Sequence, residues 1–119
     1  MRVSVIITTY NQPEQLEKVM WGYAAQHGAP FELIVADDGS GPKTTEVIDQ
    51  VTAASGLDVL HVWHEDRAFR KTEILNRAIG AATGDYLVFS DGDCIPREDF
   101  VAAHAHLARP GYFLSGGYI

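Results

Sequence analysis

Two aspartates separated by one glycine, Asp91 and Asp93, follow the apolar run at residues 86–89. If this run forms an extended strand, residues i and i+2 point the same way, so both carboxylates can face one cation. The glycine between them lets a ligand approach the backbone. Hard oxygen ligands suit Mg²⁺ or Mn²⁺, which usually complete their coordination with substrate phosphates. The pattern favours a metal site for a phosphate-bearing substrate, although an isolated Asp-x-Asp is more often a polar turn.

Three further polar clusters stand directly after apolar, strand-like runs. In an open parallel sheet, ligands bind outside the carboxyl ends of the strands, so all four clusters are expected at one edge of the sheet. That convergence indicates a binding site more strongly than any one cluster does. The three clusters are Thr8-Thr9-Tyr10-Asn11, Asp37-Asp38-Gly39-Ser40 and His64-Glu65-Asp66.

The first two of these clusters suit a nucleotide. Thr8, Thr9 and Tyr10 offer hydroxyls, backbone groups and an aromatic face to a base, against the alternative of strand-end packing. Asp37 and Asp38 offer carboxylates that can accept from a nucleobase N–H or a ribose hydroxyl, although Asp-Gly is also a common turn pair. In the third cluster, His64 is a candidate for substrate contact, and a structural hydrogen bond explains it equally well.

Basic residues cluster between positions 67 and 77, which hold four of the nine lysines and arginines: Arg67, Arg70, Lys71 and Arg77. Arginine donates two parallel hydrogen bonds to phosphate oxygens, and a helix N-terminus adds a favourable field, so the cluster suits a diphosphate. We expect Arg70, closest to the start of the helix, to be the functional residue. Lys71 or Arg77 is expected on a solvated helix face.

The remaining metal-ligand and nucleophile candidates are weaker. His104 and His106 are two residues apart on a predicted helix and diverge by about 200°, so they cannot share one ion and are expected at the surface. Cys94 follows the acidic pair, but a lone cysteine is more often a small buried apolar residue than a nucleophile.

The elements that position these residues alternate along the chain. Strand-like runs at 3–9, 31–36, 57–63 and 86–90 are separated by helical patterns at 13–26, with Asn11 or Gln12 as its cap, at 43–54 and at 71–82. A further helix is expected after Pro96 up to about residue 107, and a strand around 112–114. Such alternation predicts βαβ units, hence a single α/β domain over 1–119 with a mostly parallel sheet and helices on both faces.

Composition excludes several classes. The net charge of −7 argues against a nucleic-acid surface, which needs a basic patch. The apolar runs fall well short of the ~20 residues that span a bilayer, and no signal-peptide pattern is visible at the N-terminus. The single cysteine fits a reducing compartment. We therefore expect a cytoplasmic location, or one at the cytoplasmic face of a membrane.

Four segments together resemble a known family. Residues 3–11, residues 35–40, Arg70 followed by residues 75–79, and residues 84–96 look like the nucleotide-sugar-binding half of family 2 glycosyltransferases, which have the Rossmann-like GT-A fold. The order and spacing of all four segments match, and they cover most of the chain. The resemblance implies a nucleotide-diphosphate sugar donor, commonly a UDP-sugar, with a divalent cation, Mn²⁺ or Mg²⁺, and a carbohydrate or glycolipid acceptor.

The resemblance also implies roles for individual residues. Thr8 and Tyr10 would lie at the uracil, with Thr9 and Asn11 beside them, and Asp38 would accept from the ring N–H of the base. Arg70 would lie near the base and the diphosphate.

At the acidic pair, Asp93 would be the direct metal ligand, and Asp91 would lie near the ribose or beside the metal.

Family members invert the anomeric centre, and a carboxylate base deprotonates the acceptor hydroxyl. That base lies well downstream in the family, whereas 26 residues follow Asp93 here, so we expect it beyond Ile119. The chain is expected to be an incomplete N-terminal portion, truncated after the helix that follows the acidic pair. It would be inactive alone, with an exposed sheet edge available for self-association.

There are three alternatives to an active glycosyltransferase. A haloacid-dehalogenase-like phosphohydrolase would use Asp91 as nucleophile, but its later motifs do not fit in the remaining residues. A calcium loop needs glycine and an acid where Pro96 and Ala102 stand. A nucleotide-sugar-binding module without catalysis stays open.

Overall fold

The computed structural model describes residues 2–28, 30–66 and 71–107. Strands and helices alternate throughout these residues, as the sequence pattern predicts. The elements are β1 (Val3–Thr9), α1 (Pro13–Ala24), β2 (Phe31–Asp37), α2 (Pro42–Ser55), β3 (Val59–Trp63), α3 (Lys71–Ala81), β4 (Tyr86–Asp91) and α4 (Phe100–Leu107).

The four strands form one sheet in the order β3-β2-β1-β4, and every neighbouring pair is parallel. The register places Thr9 opposite Asp37, Asp37 opposite Trp63, and Thr8 opposite Asp91. All four strands therefore end at the same edge. The central strands β1 and β2 are almost entirely buried, as expected for a parallel sheet that is covered on both faces.

Helices cover both faces of the sheet, which confirms the predicted α/β architecture. On one face, Leu16 and Met20 of α1, Ile48 of α2 and Val101 of α4 join a core that includes Val5 of β1. On the other face, α3 packs Ile74 and Ala78 against residues of β1 and β2. The sheet is thus a rigid platform, and the loops at its carboxyl edge are the parts available for a site.

Some predicted boundaries differ from those observed. Strand β3 begins at Val59 rather than at residue 57, because the Leu57 amide donates to the Ser55 hydroxyl (3.2 Å) at the end of α2. Helix α4 begins at Phe100, because residues 97–100 form a separate turn in which the Phe100 amide donates to the Arg97 carbonyl (3.0 Å). The strand predicted near 112–114 lies outside the described residues.

Within the described ranges, no helix combines the length and the apolar character needed to cross a bilayer.

Candidate functional site

The ends of β1, β2 and β4 and the start of α3 surround a cavity of about 390 Å³ at the carboxyl edge of the sheet. Six of the nine site residues predicted from the sequence line this cavity. They come from three of the four predicted strand exits, whereas none of His64, Glu65 and Asp66 lines it. The lining residues are Thr8, Thr9, Tyr10, Gln12, Ala36, Asp38, Lys71, Ile74, Asp91, Gly92 and Asp93.

The acidic pair lies on a turn. Asp91 is the last residue of β4, and the Cys94 amide donates to the Asp91 carbonyl (3.2 Å) to close the turn. One ligand atom from each of Asp91, Asp93 and Cys94 lies within 4.8 Å of the others. The sequence pattern predicts both carboxylates on one extended segment. This prediction is wrong, because the turn brings the two carboxylates together.

Gly92 is required by the close approach of β1. A Cβ atom at this position would lie 2.5 Å from the Thr8 carbonyl oxygen, and the Gly92 amide donates to that same oxygen (2.8 Å). The glycine therefore makes room for the neighbouring strand rather than for the ligand that the sequence pattern suggests.

Asp91 forms a hydrogen bond and an ion pair with residues of the cavity wall. The Thr8 hydroxyl donates to its Oδ1 at 3.2 Å, and Lys71 Nζ lies 3.8 Å from the same oxygen. One of Lys71 and Arg77 was expected on a solvated face; Lys71, the first residue of α3, lines the cavity. Arg77 lies further along α3, is exposed and donates to the Trp63 carbonyl (3.4 Å).

The donor set at the acidic turn fits a hard divalent cation. Asp93 is exposed and Asp91 is half-buried beside the open cavity, which suits an ion that keeps positions for water and phosphate oxygens. Cys94 is half-buried rather than a buried apolar residue. Burial, and then the charge of Asp93, raise the pKa of the Cys94 thiol, which donates to Asp93 Oδ1 at 3.6 Å. The two carboxylates therefore fit Mg²⁺ or Mn²⁺ better than a metal that prefers thiolate.

The two aspartates after β2 have different surroundings. Asp38 lines the cavity, is 7% exposed, and its Oδ1 lies 2.5 Å from His64 Nε2. Asp37 is completely buried and does not line the cavity. Its carboxylate accepts from the Ser40 amide (2.9 Å) and contacts His61 Nε2 (2.7 Å). In this structure, Asp37 holds the loop in place, and Asp38 faces the ligand space.

Asn11 also fastens this loop. It adopts a left-handed backbone conformation with φ of 47°. The backbone amide of Asn11 donates to Ser40 Oγ (2.8 Å), and its side-chain Oδ1 accepts from the Gly41 backbone amide (2.8 Å). Neither of the two predicted residues caps α1 through its side chain: Gln12 is the N-cap without such a hydrogen bond, and it lines the cavity instead.

Thr9 and Tyr10, at the end of β1, form one wall of the cavity. Tyr10 is 46% exposed, and its hydroxyl donates to Asp66 Oδ2 (2.6 Å). This hydrogen bond, and then the charge of Asp66, raise the pKa of the Tyr10 phenol. Thr9 Oγ1 is buried and has no hydrogen-bond partner among the described residues.

Other predicted candidates lie elsewhere. Arg67 and Arg70 fall outside the described residues. His106 is exposed, as expected. His104 was expected at the surface, but it is half-buried, and its ring stands edge-on to Phe100 with centroids 4.7 Å apart. Burial lowers the pKa of His104.

Comparison with protein families and curated proteins gives a consistent result. The model of glycosyl transferase family 2 matches residues 4–112. Glycosyltransferase AglE of Haloferax volcanii is 33% identical over 120 residues, which cover 98% of this chain and 39% of that protein. Validoxylamine A glucosyltransferase of Streptomyces hygroscopicus subsp. limoneus is 32% identical over 109 residues, covering 87% of this chain and 24% of that protein. The chain thus spans well under half the length of these relatives.

Solved structures share the fold. The mannosyltransferase PcManGT from Pyrobaculum calidifontis, in complex with GDP-Man and Mn²⁺, matches with a TM-score of 0.80 and 29% identity over 92% of this chain and 33% of that one. Glucosyl-3-phosphoglycerate synthase from Mycobacterium tuberculosis, in complex with Mn²⁺, UDP and glucosyl-3-phosphoglycerate, matches with a TM-score of 0.60 and 30% identity over 85% and 37%. S. aureus TarS 1–349 in complex with UDP-GlcNAc has a TM-score of 0.79 at 24% identity over 89% and 30%. The fold is therefore the Rossmann-like GT-A fold.

Proposed function

Because the chain belongs to glycosyl transferase family 2, we propose that it forms the donor-binding part of an enzyme that transfers a sugar from a nucleoside diphosphate to an acceptor hydroxyl. The observation that carries this proposal is the placement of Asp38, Asp91 and Asp93 around one cavity. A carboxylate that can accept from a base lies on the β2 side, and a carboxylate pair that can hold a cation for the diphosphate lies on the β4 side.

The proposed donor is a UDP-sugar. Asp38 accepts from the ring N–H of uracil, and Tyr10 offers its aromatic face to the base. Two of the solved relatives are complexes with UDP and with GDP-Man, and both bases carry a ring N–H. A cavity of about 390 Å³ lies near the lower end of the range for ligand pockets, roughly 300–1,000 Å³.

The proposed cation is Mn²⁺ or Mg²⁺, with Asp93 as its direct ligand and Asp91 beside it. Such a cation, when bound, supplies positive charge to the diphosphate that leaves. Lys71, 3.8 Å from Asp91, adds a second positive charge at the same end of the cavity. Both charges lie where negative charge grows as the sugar departs.

The proposed reaction inverts the anomeric centre in one displacement. The acceptor oxygen forms a bond to the anomeric carbon while the bond from that carbon to the diphosphate oxygen breaks, and the hydroxyl proton passes to a carboxylate base. No residue of the described cavity is assigned as this base. We propose that the base and the contacts to a carbohydrate or glycolipid acceptor come from elsewhere in the enzyme. The expected cytoplasmic location and the self-association stay predictions.

Calorimetric titration of the folded chain with UDP, with and without Mn²⁺, tests the donor site. We expect UDP to bind at least about tenfold more tightly when Mn²⁺ is present, a difference of about 1.4 kcal/mol. If UDP binding does not depend on the metal in a sample with native circular dichroism, the proposed donor site is wrong. If UDP binds but the protein with all its domains does not turn over any UDP-sugar, the protein is a binding module rather than an enzyme.

A further inference from the structure

We propose that His64 is a positioning residue for base recognition. It holds the Asp38 carboxylate in the orientation that accepts from the ring N–H of a nucleobase, a role that rests on the proposed nucleoside-diphosphate site. Uracil and guanine present such a donor, whereas cytosine presents a lone pair at the equivalent ring nitrogen. His64 therefore contributes to the choice of base without touching it.

The sheet register brings the two side chains together. Asp37 and Trp63 are paired across β2 and β3, so the next residues, Asp38 and His64, leave the two strands side by side. The His64 amide extends the ladder by donating to the Asp37 carbonyl (3.4 Å). The backbone thus fixes the separation of the two side chains before any ligand arrives.

The contact itself is short and shielded from water. His64 Nε2 lies 2.5 Å from Asp38 Oδ1, and the two residues are 9% and 7% exposed. A carboxylate only accepts, so Nε2 carries the proton in this contact. A hydrogen bond to a charged group in such a place is stronger than one in water, and breaking it is costly. The carboxylate is therefore held against rotation about its side-chain bonds.

The segment that follows β3 and carries His64 packs against the loop that follows β2 and carries Asp38. A Cβ atom on Gly39 would lie 2.5 Å from Asp66 Cα, so the two backbones touch. On its other side, Asp66 accepts from the Tyr10 hydroxyl (2.6 Å). The contacts of Asp66 with Gly39 and Tyr10 thus fix the segment that carries His64. His64 can therefore hold Asp38 in a constant position.

The chain contains a matched control for this role. His61 contacts Asp37 at 2.7 Å, so a second histidine–aspartate pair joins the same strand to the same loop. Asp37 does not line the cavity, however. Loss of either pair weakens the loop, but only loss of the His64 pair acts on the residue that faces the base.

The experiment compares ligands across variants of the full chain. The dissociation constants of UDP, CDP and N3-methyl-UDP are measured by calorimetry with Mn²⁺ for the wild type, His64→Leu, His64→Gln and His61→Leu. The methyl group removes the ring N–H and leaves the diphosphate unchanged. If GDP binds the wild type more tightly than UDP, GDP and N1-methyl-GDP take the places of the uracil pair.

We expect the wild type to prefer UDP over both N3-methyl-UDP and CDP by about tenfold or more, the range of a hydrogen bond to a charged group. In His64→Leu this preference should shrink to about threefold or less. His64→Gln should keep it, because its amide can still donate to Asp38. His61→Leu should keep it as well. If His64→Leu does not fold, His64→Asn, whose shorter amide does not reach Asp38, replaces it.

Two results overturn the role of His64 and leave the donor site intact: a full preference for UDP in His64→Leu, or an equal loss of preference in His61→Leu and His64→Leu. A different result overturns both. If no nucleoside diphosphate binds the folded wild type with Mn²⁺, the donor site is wrong, and with it the role of His64.

Discussion

Thr8 and Asp91 face each other across the β1–β4 ladder, and the Thr8 hydroxyl donates to Asp91 Oδ1 at 3.2 Å. This pair joins the two ends of the candidate site. Thr9 and Tyr10 continue from Thr8 along the proposed base site, and Asp93 continues from Asp91 at the proposed cation site. The spacing between these two proposed sites is therefore set by neighbouring strands of a parallel sheet.

The close approach at Gly92 predicts a large cost for a small substitution. In Gly92→Ala, the new methyl group would lie 2.5 Å from the Thr8 carbonyl oxygen, which is a backbone atom in a central strand. Either β4 or β1 must shift, so we expect the free energy of unfolding to fall by about 1–3 kcal/mol. Urea denaturation followed by circular dichroism measures this change.

Gly80→Ala is the matched control, because a Cβ atom at that position of α3 meets nothing within 4 Å. Alanine favours a helix over glycine, so this variant should gain up to about 1 kcal/mol. Equal changes in the free energy of unfolding for the two substitutions would mean that the close approach of β1 to Gly92 does not affect stability.

Asp93 is expected to provide most of the cation affinity. In Asp93→Asn, the exposed carboxylate becomes a neutral amide, and Mn²⁺ affinity should fall by at least about tenfold, or about 1.4 kcal/mol. Electron paramagnetic resonance of free Mn²⁺ during a titration measures it. Asp49→Asn, an exposed change on α2, should leave the affinity unaltered. Unchanged Mn²⁺ binding in Asp93→Asn would remove Asp93 from the cation site.

Lys71 is expected to act on the diphosphate and not on the base. Lys71→Met keeps most of the side-chain length but removes the charge 3.8 Å from Asp91. The affinity for UDP should fall by about three- to tenfold, since the site is open to solvent, and the weak affinity for uridine should not change. Calorimetry with both ligands separates the two effects. Lys43→Met, at an exposed position of α2, serves as the comparison, and an equal loss of UDP affinity there would indicate a general charge effect.

The order of elements and the location of the site could be predicted from the sequence, because both follow from periodicity. Apolar runs separated by amphipathic helices imply a parallel sheet, and the polar residues after each run then fall at one edge. The boundaries at Val59 and Phe100 could not be predicted, since they depend on local hydrogen bonds such as that of Ser55 with Leu57.

Individual roles at the site were harder to predict than its location. Asp37 and Asp38 are adjacent and chemically identical, yet one is buried behind the loop and the other faces the cavity, because successive residues leave a strand in opposite directions. The expectation that Lys71 or Arg77 lies on a solvated face did not say which, although the place of Lys71 at the start of a helix that follows a strand exit was a usable signal that it lines the cavity. The partner of His64 depends on strand order, and neither spacing nor composition reveals strand order.

Glu32 and Ser4 form a buried polar contact at the opposite end of the sheet. Glu32 is 6% exposed, and its Oε2 accepts from the Ser4 hydroxyl (2.6 Å), the Thr83 amide (2.7 Å) and the Thr83 hydroxyl (2.8 Å). Burial alone would raise the pKa of Glu32. The hydrogen bond from Ser4, those from Thr83 and the charge of Arg2 outweigh that effect and lower the pKa.

This lowered pKa predicts a stability that depends on pH. The folded pKa of Glu32 lies below its unfolded value of about 4.3, so its contribution is complete above that value and is lost as the pH falls through the folded pKa. Urea unfolding of the wild type between pH 7 and pH 3 should show stability falling below about pH 5. Glu32→Gln should be less stable at pH 7 by about 1–3 kcal/mol and should show a shallower decline, since it lacks the titrating group.

Glu46→Gln, at an exposed position of α2, should follow the wild type. Parallel pH curves for the wild type and Glu32→Gln would show that this carboxylate does not link folding to proton binding.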